Sequence, residues 1–275
     1  MLATAGLVML AGAMMLFLHM WREAHTTVIT EDEVELSHLP ASFDGATIVY
    51  LSDTHERLLK TTDIEKLRGR VDWVFIGGDF AEEGISWSIV RHNMRLLSSL
   101  APTFAVYGNH DKKAGITSLS ELLKDSNVLL LQDKAVYLQK GMEQIRLVGL
   151  DYRSKQGELL LQNAEGSCST IVLVHDPLEA LRLELNVDLV LSGHTHGGQL
   201  VLPLLGPILL SKAYRAVRSG WFSLKRSHDD FRDGKLLVSR GFGTNHLPLR
   251  LCCPAEIHLI TLRVSTAKRG CLKSL

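Results

Sequence analysis

The chain has 275 residues, 46% apolar and 22% charged, a globular balance that excludes a predominantly disordered protein. Thirty basic and thirty acidic side chains cancel, so a broad basic face for nucleic acid is not expected. The four cysteines, Cys168, Cys252, Cys253 and Cys271, show neither C-x-x-C metal spacing nor the density of a disulfide scaffold, and are read as structural. Twelve histidines are more than a chain this long usually carries, and histidine is the commonest metal ligand.

Residues 1–21 carry no charged side chain, and Ala5 to Leu18 is almost wholly apolar. About 20 such residues cross a hydrocarbon core, so a transmembrane anchor is expected over residues 1–21. His19 and Trp21 fall where an interfacial belt would lie. A cleaved signal sequence is the alternative, although its positive n-region is missing apart from the terminal amine; a buried helix is a third reading. Arg22 follows the span and no Lys or Arg precedes it, which leans the rest of the chain towards the cytoplasmic side of the membrane.

Residues 22–45 read as a connector with a first strand near Thr26 to Glu35, residues 46–265 as one domain and 266–275 as a tail. Short apolar runs follow: Ala46 to Ser52 before Asp53, Asp72 to Gly78 before Asp79, Thr103 to Gly108 before Asn109, Ser169 to Val174 before His175, and Val187 to Gly193 before His194. Such runs predict buried strands. Helical stretches near Ile64 to Arg68, Ser86 to Ser99 and Ser118 to Lys124 make the class α/β. Further runs, Ala135 to Gln139, Gln144 to Leu150, Lys235 to Ser239 and Ala255 to Leu262, predict a second, partly antiparallel sheet. The five polar residues that end the first set would converge on one edge, where open α/β sheets bind their ligands.

Those residues are of metal-ligating types. Asp53-Thr54-His55 offers a carboxylate and an imidazole within one turn, but alone is no more than a loop pair. Gly77-Gly78-Asp79 places a carboxylate, able to bridge two cations, behind residues that let the backbone approach closely. Gly108-Asn109-His110-Asp111 adds an amide oxygen and a candidate acid, though Gly-Asn also favours a plain turn. His175-Asp176-Pro177 is weak by itself. Gly193-His194-Thr195-His196-Gly197 is the strongest block, since no packing argument asks for two imidazoles flanking one residue among glycines.

This ordered set, D-x-H, G-D, G-N-H-D, a lone His and G-H-x-H from residue 53 to residue 196, resembles the calcineurin-like metallophosphoesterases. The resemblance implies a two-sheet β-sandwich flanked by helices and a binuclear metal centre. One ion would take Asp53, His55, Asp79 and His196; the other would take Asn109, His175, His194 and the shared Asp79. His110 would be the general acid, oriented by Asp111. Two such ions clamp a phosphoryl group and activate the attacking water. A mixed N/O ligand set suits manganese, iron, zinc or cobalt better than calcium or magnesium without choosing among the four, and manganese is the first expectation.

The C-terminal third, with Ser239-Arg240-Gly241-Phe242-Gly243, Pro248-Leu249-Arg250 and Cys253-Pro254-Ala255-Glu256, resembles the bacterial membrane-associated phosphodiesterase branch that includes UDP-2,3-diacylglucosamine pyrophosphatases. Relatives often carry an acidic residue where Phe80 and Ala81 stand; Glu82 or Glu83 would serve here. The apolar stretch Leu200 to Leu210 is either a bilayer-contacting loop or a buried strand and turn. Lys212, Arg215, Arg218, Lys225 and Arg226 would face anionic head groups or plain solvent. Arg240 and Arg250 would grip a non-scissile phosphate or pair at the surface. The expected partners are a phosphoester substrate, lipid-linked in this branch, and the membrane, with no nucleic acid. A nuclease, a general phosphodiesterase and a non-catalytic scaffold of the same fold are the competing readings.

Overall fold

The computed structural model describes residues 1–162, 168–182, 187–224 and 234–265. Lys225, Arg226, Cys271 and the expected tail lie outside these residues. The helices are α1 (Leu2–His25), α2 (Thr61–Glu65), α3 (Trp87–Ser98), α4 (Asp111–Ala114), α5 (Ile116–Asp125), α6 (Gly157–Gln162) and α7 (Pro177–Arg182). The strands are β1 (Thr27–Leu36), β2 (Thr47–Leu51), β3 (Trp73–Ile76), β4 (Thr103–Ala105), β5 (Val128–Leu130), β6 (Lys134–Lys140), β7 (Glu143–Gly149), β8 (Thr170–Leu173), β9 (Leu189–Ser192), β10 (Val201–Leu202), β11 (Gly206–Pro207), β12 (Gly220–Leu224), β13 (Gly234–Val238) and β14 (Ala255–Val264).

Two six-stranded sheets run in the orders β1-β14-β2-β3-β4-β5 and β12-β13-β9-β8-β7-β6, and face each other. Strand alternation sorts each apolar run into two faces. Ile48 and Tyr50 of β2 point into the inter-sheet core with Phe75, Leu147, Ile171 and Leu191. Val49 and Leu51 point outward to a second core, where Val90, Met94 and Leu97 of α3 and Leu119, Leu122 and Leu123 of α5 cover the sheet. Val90, Met94 and Leu97 stand four and three residues apart, the spacing of one helix face. A third core, with Val148, Val172, Val190, Leu236 and Ala180, covers the outer face of the other sheet. Burial on both faces is why these strands read as continuous apolar runs rather than as alternating ones.

The fold class is as expected, but the allocation of strands differs. β8 and β9, placed by their pattern in the α/β sheet, belong to the second sheet. β14, placed in the second sheet, lies in the first, between β1 and β2. A strand buried on both faces presents the same apolar pattern in either sheet, so pattern alone carries no address. β5 and β12 have no counterpart among the expected elements. The apolar stretch after Gln199 forms a small antiparallel hairpin, β10-β11, in which Val201 is buried but Leu204, Leu205 and Leu209 are exposed.

β1 pairs with β14 over ten residues, parallel, from Thr27↔Ala255 to Leu36↔Val264. The pair is cross-linked by His258, whose Nδ1 lies 3.0 Å from Asp32 Oδ2 and whose Nε2 lies 3.0 Å from Glu256 Oε1. Burial opposes charge on the imidazole, but the bonds to Asp32 and Glu256 outweigh it and raise its pKa above 6.5. A raised histidine pKa adds stability that is complete below the unfolded value and is lost as pH rises through the folded one. The wild type is therefore expected to lose this contribution to urea-unfolding stability as pH rises above 6.5, and His258→Gln to flatten that part of the pH dependence.

Ahead of these elements stands α1, 24 residues long and apolar enough to cross a membrane. At 1.5 Å per residue it extends about 36 Å, and its apolar side chains are exposed up to Trp21.

Candidate metal centre

The five expected ligand blocks meet at one place. Asp53, Asp79 and Asn109 follow β2, β3 and β4 at the carboxyl edge of the first sheet; His175 and His194 follow β8 and β9 at the carboxyl edge of the second. The centre therefore lies across the rims of both sheets, not along one edge. Backbone bonds stitch the rims. The Asp53 amide donates to the Gly78 carbonyl (2.9 Å), the His55 amide to the Asp79 carbonyl (3.1 Å), and the Gly193 amide to the His175 carbonyl (3.0 Å). Asp53, His55, Asp79, His194 and His196 all adopt φ between 45° and 71°. Non-glycine residues rarely enter this left-handed region, and each costs on the order of 1–3 kcal/mol that the surrounding fold must offset. Gly78 is required where it stands: its φ is 90°, and a Cβ there would come 2.7 Å from both the Gly108 amide nitrogen and His175 Nδ1.

Two buried clusters result. Asp53, His55 and His196 converge, with His55 Nε2 3.2 Å from His196 Nε2 and Asp53 Oδ1 3.5 Å from the latter. Asp79, His175 and His194 form the other, with His175 Nε2 3.1 Å from Asp79 Oδ2 and 3.2 Å from His194 Nδ1. His175 Nδ1 faces the Gly77 carbonyl at 2.8 Å and must donate to it, which leaves Nε2 aimed inward. His55 Nδ1 meets Glu82 Oε2 at 3.1 Å with the same consequence. Among the described residues, Asn109 Oδ1 is buried without a hydrogen-bond partner.

The electrostatics ask for a cation. Asp79 is buried, which opposes its charge, yet His175 and His55 hold it well below the usual carboxylate range. Burial opposes charge on His175, but Asp79 and Asp53 push it up to about 10. His196 goes the other way: burial and the His55 charge drive it well below 6.5. A pair of imidazole nitrogens 3.2 Å apart can share a proton or a metal, and two nearby carboxylates favour positive charge between them. Inward nitrogens, two carboxylates and an orphaned amide oxygen fit two divalent cations of intermediate softness.

The neighbours of the centre differ from expectation in three respects. His110 stands beside it, its ring centroid 5.0 Å from that of His55, and its amide donates to Asp79 Oδ1 at 2.8 Å. The charged group near its ring is Glu82, 3.9 Å from Nδ1. Asp111 does not orient that ring. Its fully buried carboxylate accepts the amides of Asp79 (2.7 Å), Gly108 (2.8 Å), Phe80 (3.0 Å) and Ala81 (2.8 Å), so it positions the loops instead. Arg240 is committed to Glu256. Arg250 is fully buried and donates to the carbonyls of Gly243, Gly241, Arg240, Cys253 and His196, so it is not free to grip a phosphate. Nothing about a lone arginine in a loop distinguishes a group that ties carbonyls from one that binds anions.

Sequence reading also missed two aromatic walls. The Tyr214 ring lies 5.1 Å from His194 and its hydroxyl donates to Asp176 at 2.9 Å; the Tyr152 ring lies 6.4 Å from His194. The Asp176 that follows His175 was the available signal, since a carboxylate beside a ligand calls for a donor.

Residues 46–198 match the family model for the calcineurin-like phosphoesterases. The chain is 30% identical to an uncharacterized protein, YpbG, of Bacillus subtilis (strain 168), over 78% of this chain and 80% of that one. It is 28% identical to the phosphodiesterase YaeI of Escherichia coli (strain K12), over 78% and 81% respectively. In structure it resembles a 5'-nucleotidase precursor from Thermus thermophilus, with a TM-score of 0.51 at 16% identity, over 83% of this chain and 58% of that one. The chain thus spans well under two thirds of that nucleotidase, and the likeness is one of fold.

The Asp111 contacts make a direct test. Asp111→Asn turns an NH2 group towards amides that need an acceptor, and leaving buried donors unpaired costs about 1–3 kcal/mol each. The variant is expected to lose bound metal and to unfold at a lower temperature, whereas His110→Asn should keep both, as read by metal analysis and thermal melting. Arg250→Met should likewise lower the melting temperature, because five carbonyls lose this donor.

Proposed function

The chain belongs to the calcineurin-like phosphoesterases, and from that premise we propose that it is a membrane-anchored, two-metal phosphodiesterase or pyrophosphatase acting on a lipid or nucleotide-lipid substrate. A metal-dependent phosphoester hydrolase is the coarser statement, and the family carries it. What supports the finer one is a single arrangement: two buried three-ligand clusters side by side, with His110 next to them, in a chain headed by an apolar helix of 24 residues.

In this reading Asp53, His55 and His196 would hold one ion and Asn109, His175 and His194 the other, with Asp79 as a ligand shared by both. Manganese is the first candidate. When bound, such ions neutralise phosphoryl oxygens and lower the pKa of a water between them. The protein's own groups do the rest. Asp79, fixed by the His110 amide, keeps its carboxylate between the clusters. Glu82 and the Gly77 carbonyl keep His55 and His175 in the tautomers that present Nε2. His110, with one face towards Glu82, is placed to deliver its proton from Nε2 to the leaving oxygen, a contribution of about 10²- to 10⁴-fold. α1 serves as a retained anchor, with the catalytic domain on the cytoplasmic side.

Hydrolysis of bis(p-nitrophenyl) phosphate by the manganese-loaded protein tests the reading. Chelation should abolish the activity and manganese should restore it. Asp79→Ala and His194→Ala should each lose about 10³-fold or more, and His110→Asn about 10²- to 10⁴-fold while still binding close to two ions per chain. Fully metallated protein inert towards every phosphoester would sink the proposal.

A further inference from the structure

Three cationic side chains share an open cavity of about 380 Å³: Arg153 and Lys155 from the loop after β7, and Arg182 at the end of α7. Two tyrosines join this cavity to the candidate metal centre. The Arg153 guanidinium lies 5.4 Å from the centre of the Tyr152 ring, and that ring stands 6.2 Å from His175 and 6.4 Å from His194. Asp176, which also lines the cavity, directly follows His175 and accepts the hydroxyl of Tyr214, the tyrosine packed on His194. Burial and the Asp176 charge push the Tyr214 hydroxyl up while the Arg153 charge pulls it down, so the guanidinium is within electrostatic reach of both rings.

The two carboxylates of the cavity already have donors. Asp176 accepts the Leu178 amide on Oδ1 (2.9 Å) and the Tyr214 hydroxyl on Oδ2 (2.9 Å). Glu179 is buried, which pushes its carboxyl up, and its Oε2 accepts the Arg153 amide at 3.1 Å. That bond supports Arg153 in left-handed backbone geometry, at a φ of 57°, and so fixes where its side chain leaves the loop. The cations are less committed. Arg153 and Lys155 are exposed and form no ion pair among the described residues, and Arg182 approaches Glu179 only to 3.9 Å. A recess with three available cations and two occupied carboxylates suits an anion, and the planar fork of Arg153 matches a pair of phosphate or carboxylate oxygens.

We propose that Arg153, with Lys155 and Arg182, forms an anion subsite beside the metal centre that selects phosphodiesters bearing a second negative group, a phosphate or a carboxylate, a few bonds from the scissile phosphorus. The inference rests on the hydrolase reading above and names specificity-determining residues of that site. Arg153 meets the second anion while the scissile phosphoryl group sits against His194, and the Tyr152 ring keeps the guanidinium in place by a cation–π contact. A diester without the second anion lacks this contact and binds more weakly, although the bond that breaks is the same.

The test uses the full metal-loaded chain at one low ionic strength and a matched pair of substrates, ethyl and 2-phosphonoethyl p-nitrophenyl phosphate. The two share a leaving group, and the carbon–phosphorus bond of the second is not hydrolysed, so its phosphonate acts only in binding. The readout is the ratio of kcat/KM values, phosphonoethyl over ethyl. Arg153→Ala is expected to lower this ratio about fivefold or more, through KM, and adding Lys155→Ala to lower it further. Arg95→Ala, which removes a charge from the distant surface of α3, is expected to leave it unchanged. Any contact of the phosphonate with the metal ions alters the ratio alike in every variant, so only the change between variants counts. A smaller fall in both Arg153 variants with the ethyl ester still hydrolysed, or an equal fall in Arg95→Ala, overturns the subsite and leaves the hydrolase reading standing. Hydrolysis of neither ester by the wild type overturns both.

Discussion

Four amide hydrogens converge on one carboxylate, and the centre's geometry depends on them. Asp111 opens α4 from inside the protein and draws in the amides that follow β3, Asp79 to Ala81, together with the Gly108 amide that follows β4. This one group sets the spacing of two strand ends. It also explains how Asp79 can remain in left-handed backbone geometry, since the strained turn is hydrogen-bonded on its amide side. Burial and the neighbouring Asp79 charge push the Asp111 carboxyl up, while the Gly108 and Ala81 amides pull it down. Its charge is therefore tied to that of the cluster it supports, and cations beside Asp79 would relieve both.

Arg250 performs the matching task on the other rim. Its guanidinium gathers the carbonyls of residues 240, 241, 243 and 253, and the loop so held donates the Phe242 and Gly243 amides to the carbonyls of Ser52 and Asp53. A buried anion collecting amides and a buried cation collecting carbonyls are complementary solutions to one problem. Loops that carry metal ligands cannot use sheet ladders, yet their backbone groups are buried and must be paired. A charged side chain with several donors or acceptors satisfies many at once and fixes their relative positions.

The candidate ligands Asp53, Asp79, Asn109, His175 and His194 stood out because each ends a short apolar run, and a polar residue of ligand type after a buried strand has few structural excuses. His196 stood out by its spacing from His194 among glycines, and metal binding is the chemistry those residue types propose. The partition of strands between the sheets could not. Val190 and Leu191 of β9 face two different cores, and so do Val49 and Ile48 of β2. Nothing in four apolar residues says which neighbour they pair with. The positioning role of Asp111 and the buried place of Arg250 were missed, and the alternatives for Arg240 were left open, for a related reason. A charged residue near a motif is ambiguous until its partners are known, and those partners lie up to 32 residues away for Asp111.

The same bonds bear on how α1 and the candidate centre are related. The segment Arg250 to Cys253 touches three things: the carbonyl loop that holds Asp53, the Gln199 carbonyl through the Leu251 amide, and Met20 and Glu23 near the end of α1. A helix that only tethered the protein would need no such contacts, and a flexible linker would serve. Here the Glu23 carboxylate caps two amides of the loop that packs against the candidate ligand His196, with Cys253 Sγ 3.3 Å from the His196 carbonyl. Met20 and Ala24 stand about one helical turn apart, so the depth of the helix in a bilayer would determine the height of the catalytic rim to within a few ångströms. The exposed leucines of the β10-β11 hairpin extend from the same segment through the Val201–Leu251 bond. An apolar helix, an apolar hairpin and the candidate metal centre are thus joined by hydrogen bonds through one short loop.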